Sequence, residues 1–155
     1  MPAKLDWARE FGATHGINEQ GEGLTRAVLE LTDGIGVNHA FVCINFPETL
    51  LPAFRATTKG GNVVVTAFTP DSVKEIKIPP LELFVTQKAI MGAVYGFASP
   101  RLQIPELLTL YRNGTLKLRE LISQTYRLND INRGYADLEA GKNLRGVVVF
   151  DPQQR

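Results

Sequence analysis

Two short apolar runs constrain the fold of this chain more than any other feature of its sequence. Residues 40–44 (Ala-Phe-Val-Cys-Ile) and residues 62–67 (Asn-Val-Val-Val-Thr-Ala) lack the polar alternation of a strand with one solvated face. Uninterrupted apolar strands are typical of parallel sheets, which are covered on both faces. Segments with apolar residues three and four positions apart lie between the runs and indicate helices. This alternation predicts an α/β fold built from βαβ units.

The other elements follow from the same periodicity and from turn residues. Helices are predicted over residues 3–11, 22–32, 47–57, 99–113 and 129–141. Strands are predicted over residues 15–18, 37–44, 62–67, 88–95, 121–126 and 146–150. Pro52 is expected to remove a hydrogen bond inside its helix and to bend it. Residues 76–81 are interpreted as an irregular connection that leads to Leu83-Phe84.

Composition excludes several classes of protein. The chain has 155 residues, of which 44% are hydrophobic and 21% charged, and a formal net charge of +1. It has no basic run that would predict binding to nucleic acid, and no stretch long enough to span a membrane. Residues 1–6 also lack the apolar core of a signal peptide. We therefore expect a cytoplasmic protein that binds neither nucleic acid nor membrane.

The single cysteine, Cys43, limits the possible covalent and metal chemistry. It excludes an internal disulfide and a cysteine-rich zinc site within this chain, and it suits a reducing compartment. Because Cys43 lies inside an apolar run, we expect an inert, buried thiol.

The glycine-rich turn that binds a pyrophosphate is missing from the sequence. A dinucleotide-binding sheet needs G-x-G-x-x-G in its first strand–helix unit, where the main chain approaches the phosphates. The glycine pair at residues 21 and 23 is followed by Arg26 where the third glycine belongs, and the pair at residues 34 and 36 by His39. Residues 1–96 are therefore expected to be the later part of a nucleotide-binding domain, cut after the element that would hold its cofactor.

A series of short motifs carries a family resemblance. In chain order they are Phe11-Gly12-Ala13-Thr14-His15, residues 31–37 (LTDGIGV), Leu121-Ile122, residues 131–135 (INRGY), Gly141-Lys142 and residues 145–148 (RGVV). Together they resemble the C-terminal portion of the zinc-dependent, medium-chain alcohol dehydrogenases. The branch that looks closest contains the dimeric alcohol dehydrogenases and the glutathione-dependent formaldehyde dehydrogenases. A zinc-free quinone reductase fits the C-terminal motifs less well.

The resemblance implies an incomplete Rossmann-type doubly wound sheet, of which only the later strands are present, followed by the C-terminal segment of a catalytic domain. The boundary implied lies between residues 1–94 and residues 95–155. In the family, hydride passes to NAD from an alkoxide bound to zinc, and the zinc ligands belong to a preceding domain. We therefore expect no catalytic residue and no metal ligand here, and neither NAD nor zinc bound by this chain alone.

The resemblance also implies cofactor-binding residues in the intact enzyme. Lys4 matches a lysine beside the adenosine ribose, Ile44 an apolar residue packed on the adenine, and Arg145 an arginine that contacts the pyrophosphate. Residues 41–45 depart from the family, because the usual acidic residue and glycine are absent. The positions that flank the nicotinamide match Ala67, Phe68, Ala93 and Tyr95.

Strand order sets an expectation for residues 15–18. In a doubly wound sheet of order 3-2-1-4-5-6 these residues would form the third strand. Because the first two strands are missing, residues 15–18 have no neighbour at that position. We expect them to pair with another chain, to move beside residues 37–44, or to lose strand character.

Two hypotheses on function remain open. By resemblance, the chain is part of an NAD-dependent zinc alcohol dehydrogenase, is inactive alone, and forms a homo-oligomer through residues 88–95. The alternative is a non-catalytic dimerisation module or the relic of a split gene. An in-frame glycine loop and zinc-ligand segment in the DNA upstream of Met1 would favour the first. The alcohol itself is not identified, because the substrate pocket of the family lies mostly in the catalytic domain.

Overall fold

The computed structural model describes residues 2–44, 47–68 and 72–150. The chain divides into two compact units, with the boundary between Ala98 and Ser99. The first unit contains α1 (Pro2–Glu10), α2 (Gly21–Leu31), β1 (Val37–Val42), α3 (Leu50–Ala56), β2 (Thr57–Val65), α4 (Pro80–Thr86) and β3 (Ala89–Gly92). The second contains α5 (Pro100–Arg112), β4 (Ile122–Tyr126), α6 (Ile131–Glu139) and β5 (Arg145–Val148). None of the described helices is long and apolar enough to cross a membrane.

A parallel three-stranded sheet of order β1-β2-β3 forms the centre of the first unit. In its register, Ala40 pairs with Val63, and Val63 pairs with Ile90. Helix α3 connects β1 to β2 and packs on both strands, and α2 packs on α3. Parallel neighbours need such crossover connections, because a tight turn cannot return the chain to the starting end of the sheet. The prediction of an α/β fold with a parallel sheet is confirmed.

The apolar core of the first unit lies on one face of this sheet. Its buried residues are Val42, Leu50, Phe54 and Val63, and Phe54 is 0% exposed. On the other face lies the row Phe41–Val64–Met91, and Phe41 is 66% exposed. The expectation that β1 is covered on both faces is therefore wrong. Helix α3 covers the face of Val42, whereas the described residues leave Phe41 open to solvent.

The start of β2 differs from the prediction. The strand begins at Thr57, five residues before the predicted start at residue 62, and includes Gly60 and Gly61. The pairing with β1 is irregular here, since Val37 pairs with Thr57 but His39 with Asn62. Glycine is required at position 61, because an added Cβ would lie 2.5 Å from Cγ2 of Thr57. The glycines therefore accommodate an irregular strand rather than a turn.

Three further local expectations differ from the structure. Pro52 lies in the first turn of α3, where N–H groups have no intrahelical acceptor, so it removes no helical hydrogen bond. Residues 15–18 form no strand, which is the last of the three outcomes considered for them. Residues 80–86 form α4 rather than an irregular connection, with Pro80 as the first helical residue and Gln87 ending the helix at a φ of 53°. Proline suits that first position because its missing N–H has no partner there.

The second unit contains β4 and β5 paired in parallel, with α6 between them in the chain and packed on β5. Its elements match the predictions to within one or two residues. Tyr126 and Asn143 are the buried residues among those described in this unit. The Tyr126 hydroxyl donates to Oδ2 of Asp137 at 3.0 Å and accepts from Nδ2 of Asn143 at 3.0 Å. This pair of hydrogen bonds connects β4, α6 and the segment before β5.

Candidate functional site

The carboxyl ends of β1, β2 and β3 lie side by side at one edge of the sheet. Two hydrogen bonds extend the ladder beyond the strands. The N–H of Thr66 donates to the carbonyl of Val42 at 3.0 Å, and the N–H of Ala93 donates to that of Val65 at 2.8 Å. Ligands of open parallel sheets bind outside this edge. The segments that leave the strands there form the candidate site of this chain.

Large apolar side chains at the carboxyl edge are exposed. Ile44 is 53% exposed, Phe68 86% and Tyr95 77%. Phe68 and Tyr95 each follow by three residues the paired positions Val65 and Gly92. These two aromatic residues therefore lie just beyond the ends of adjacent strands, which are about 4.8 Å apart. Exposed apolar surface that is concentrated in this way marks a surface for a ligand or a partner.

The turn after β3 is strained. Tyr95, Gly96 and Phe97 have φ angles of 50°, 67° and 61°, so two bulky residues adopt the left-handed conformation that favours glycine. Each such residue costs on the order of 1 kcal/mol or more. Backbone strain of this kind concentrates at functional sites. Phe97, 65% exposed, lies in this strained turn two residues beyond Tyr95, although no sequence motif pointed to it.

Cys43 is exposed, and the prediction that its thiol is buried is wrong. Strand β1 ends at Val42, so Cys43 lies just beyond the sheet at its open edge. The Thr66 hydroxyl lies 3.3 Å from Sγ of Cys43 and 3.4 Å from the carbonyl oxygen of Val42. Thr66 therefore links the ends of β1 and β2. No sequence pattern around Thr66 predicts this role.

Three cations lie at the opposite end of the strands, near the starts of β2 and β3. Lys88 Nζ donates to the carbonyl of Phe54 at 2.7 Å and lies 4.8 Å from the centre of the Phe54 ring. Burial lowers the pKa of Lys88, and the Glu82 carboxylate opposes this effect. Lys88, Arg55 and Lys59 line a cavity of 390 Å³. Because α3 terminates at this end of the strands and its Phe54 carbonyl accepts from Lys88, Lys88 stabilises the carboxyl end of that helix.

Comparison with known proteins assigns the chain to a family. Residues 1–113 match the family of zinc-binding dehydrogenases. The chain belongs to this family. The NDMA-dependent alcohol dehydrogenase of Amycolatopsis methanolica is 34% identical over 148 residues, which are 94% of this chain and 40% of that relative. Alcohol dehydrogenase B of Mycobacterium tuberculosis is 31% identical over 154 residues, which are 98% of this chain and 41% of that relative.

A solved structure supports the same assignment. Benzyl alcohol dehydrogenase from Acinetobacter calcoaceticus has a TM-score of 0.85 and 29% identity, covering 97% of this chain and 41% of that one. The zinc-binding dehydrogenase resemblance and its Rossmann-type fold, with only part of the sheet present, are thereby confirmed. The chain spans about two-fifths of the length of the relatives it matches.

The structure brings together most of the residues implied by the zinc-binding dehydrogenase resemblance. At the carboxyl edge lie Ile44, Ala67, Phe68, Ala93 and Tyr95. Lys4 is exposed on α1, and Arg145 is exposed at the start of β5 in the second unit. No described hydrogen bond or ion pair connects Lys4 to that edge. The individual cofactor roles of all these residues remain predictions.

The described residues fit a nicotinamide better than they fit a zinc ion. Across the described ranges, no group of three or more His, Cys, Asp and Glu side chains could hold a metal ion, so these residues do not fit a zinc site. The carboxyl edge fits a nicotinamide better, because Ala67 and Phe68 have no main-chain hydrogen bond to another described residue. The N–H of Ala93 is not available to a ligand, since it already donates to Val65.

Proposed function

We propose that this chain forms the NAD-facing wall of an alcohol dehydrogenase. The supporting observation is the convergence of exposed Ile44, Phe68 and Tyr95 at the carboxyl edge of a parallel sheet. In this proposal Ile44 packs against the adenine, and Ala67, Phe68, Ala93 and Tyr95 flank the nicotinamide. NAD, when bound, supplies the hydride acceptor. Lys4 and Arg145 contact the ribose and the pyrophosphate in an enzyme that also contains the rest of the family fold.

The domain assignment forms part of this proposal. Residues 1–94 are assigned to the NAD-binding domain and residues 95–155 to the C-terminal segment of the catalytic domain. The boundary between compact units at Ala98 and Ser99 supports it. The oxidoreductase family and the single cysteine support a reducing, cytoplasmic location.

We further propose that the chain is inactive by itself. The sequence contains no G-x-G-x-x-G turn to hold the pyrophosphate, and the described residues do not fit a zinc site. Titration calorimetry of the purified chain with NAD should show no micromolar binding. A zinc-loaded sample should form no NADH from benzyl alcohol. Either signal, obtained under conditions in which a full-length relative responds, would contradict the proposal.

The proposed partner is a second copy, paired through residues 88–95. Because Ala93 directs its N–H to Val65, alternation along the strand directs the main-chain groups of Met91 towards β2 and those of Ile90 and Gly92 away from it. The outer edge of β3 therefore has unpaired groups within the described part of the chain. Such edges associate unless they are blocked.

Gly92→Pro tests the pairing through β3. Gly92 has open space around its Cβ position, and its N–H takes no part in the ladder to β2. The proline variant should shift the light-scattering mass towards smaller species, whereas Gly92→Ala should not. Ala93→Pro is unsuitable, because it would break the bond to Val65. An unchanged mass for Gly92→Pro would contradict the proposed pairing.

A further inference from the structure

Lys88 carries a partly buried amine that has no role in the proposed function. Its Nζ donates to the carbonyl of Phe54 at 2.7 Å and lies 4.8 Å from the centre of the Phe54 ring. An ammonium has three N–H donors, and the Phe54 carbonyl is the one protein acceptor that Nζ reaches among the described residues. The proposed pairing through residues 88–95 uses main-chain groups, so it leaves this amine available for another role.

A cavity beside Lys88 gives a small molecule access to the amine. Its volume of 390 Å³ lies in the range of about 300–1,000 Å³ that is usual for ligand pockets. Leu29 and Ile35 supply apolar lining. The lining residues all belong to the first unit, between Leu29 and Lys88, so this unit suffices to form the cavity. Helix α3 ends beside it, and the partial negative charge of a helix carboxyl end disfavours an anionic ligand.

The surroundings of Lys88 favour the neutral amine, which is the nucleophilic form. Burial lowers the pKa of Lys88, and the Glu82 carboxylate on α4 opposes this effect. The other charged residues that line the cavity are cations, Arg55 on α3 and Lys59 on β2. Helix α2 contributes the uncharged Leu29 to the described lining. Desolvated lysines of lowered pKa are the ones that form Schiff bases with carbonyl compounds.

The contacts of Nζ distinguish between the possible products of this amine. Acylation would give a neutral amide, and carbamate formation would place an anion over the negative face of the Phe54 ring. A Schiff base with an aldehyde gives an iminium, which keeps one N–H and the positive charge. That N–H can donate to the Phe54 carbonyl as before, and the charge stays over the ring. Reaction with an aldehyde therefore preserves both contacts of the ammonium.

We propose that Lys88 is a reversible covalent binding site for a small, uncharged aldehyde, whose apolar body lies against Leu29 and Ile35. The ammonium first releases a proton to solvent. The neutral Nζ then adds to the carbonyl carbon, which forms a C–N bond while the π electrons of the C=O bond move to the oxygen. Transfer of a proton from nitrogen to oxygen gives a carbinolamine. This intermediate releases water as the C=N bond forms, and protonation of the nitrogen restores the positive charge, so the step needs no oxidant or reductant.

Reductive trapping tests the proposal on the whole chain. The chain is incubated with benzaldehyde near pH 8 together with cyanoborohydride, which reduces an iminium to a stable secondary amine. Peptide mass spectrometry then measures the rate of benzylation of each lysine. Lys59 is the matched comparison, because it lines the same cavity but is exposed. We expect Lys88 to react roughly tenfold faster than Lys59.

Two controls connect this preference to the fold. In concentrated urea, where the cavity is lost, Lys88 and Lys59 should react at equal rates. In a pH series, the advantage of Lys88 should decline as the pH approaches 10.5, the ordinary pKa of a lysine, because solvated amines then lose their protons as well. Lys88→Arg keeps a cation that can donate to Phe54, and it should remove the fast reaction without changing the rate at Lys59.

The chemical nature of the aldehyde is tested by a second reagent. Glyoxylate is a small aldehyde with a negative charge and no apolar body. The rate at Lys88 relative to Lys59 should be higher with benzaldehyde than with glyoxylate, and the reverse order would overturn the preference for an uncharged aldehyde. Equal rates at the two lysines of the folded chain would refute the site itself, and so would a preference for Lys88 that persists in urea.

Discussion

Lys88 Nζ donates a 2.7 Å hydrogen bond to the carbonyl of Phe54 and thereby connects the residue before β3 to the end of α3. Lys88→Met should lower the free energy of unfolding by about 1 kcal/mol, because the bond is lost while the apolar stem remains. Lys59→Met is the control, since Lys59 is exposed and forms no ion pair among the described residues. Urea denaturation of both variants at pH 7 measures the difference, and equal losses would contradict the role of the bond.

The same lysine should make stability depend on alkaline pH. Burial lowers the pKa of Lys88 in the folded chain below its ordinary value of 10.5. Between the lowered pKa and 10.5 the unfolded chain binds more protons, so the contribution of Lys88 to stability rises with pH there and is constant above. The stability of wild type relative to Lys88→Met should increase as the pH approaches 10.5. Urea denaturation in a pH series would show a flat difference if the lysine were fully solvated.

Two phenylalanines should differ strongly when each is replaced by alanine. Phe54 is 0% exposed at the centre of the core, whereas Phe41 is 66% exposed. Phe54→Ala should cost about 3–5 kcal/mol through lost burial and a residual cavity. Phe41→Ala should change stability by about 0.5 kcal/mol or less. Chemical denaturation at low protein concentration provides the comparison, and similar costs would place the core elsewhere.

Replacing Gly34 or Gly36 by alanine distinguishes the cost of backbone strain from the cost of steric overlap. Both have positive φ angles, 87° and 80°. A Cβ at Gly36 would lie 2.5 Å from the carbonyl oxygen of Ala56, while a Cβ at Gly34 would meet nothing within 4 Å. Gly34→Ala should therefore cost about 1–2 kcal/mol from strain alone, and Gly36→Ala should cost more. Thermal unfolding of the two variants tests this order, and equal losses of stability would contradict it.

In the second unit, Tyr126→Phe should be destabilising and Tyr135→Phe should not. The Tyr126 hydroxyl donates to Asp137 and accepts from Asn143, and its loss leaves the buried amide of Asn143 without that partner. The cost should be about 1–3 kcal/mol. Tyr135 is 61% exposed, and its hydroxyl has no described partner. Hydrogen exchange of the β4 and β5 amides, which should accelerate only in Tyr126→Phe, locates the effect.

Features that depend on neighbouring residues could be predicted from the sequence, whereas features that depend on residues distant in the chain could not. The strands at β1, β2 and β3 were predictable, because apolar runs and turn residues act over a few neighbouring positions. Helix α4 was missed because Pro79 and Pro80 suggested an irregular connection, although proline is compatible with the first helical position. The strand expected at residues 15–18 did not form, since a strand requires hydrogen-bonding neighbours that those residues lack.

The sequence by itself determined most of the helices and strands, the family, and the residue types at the carboxyl edge, because these depend on local periodicity and short motifs. Only the tertiary structure decided which faces and edges are open. Cys43 and Phe41 have apolar neighbours in the chain, yet both are exposed, because one lies beyond the end of β1 and the other on the face that α3 does not cover. Burial depends on elements distant in the chain.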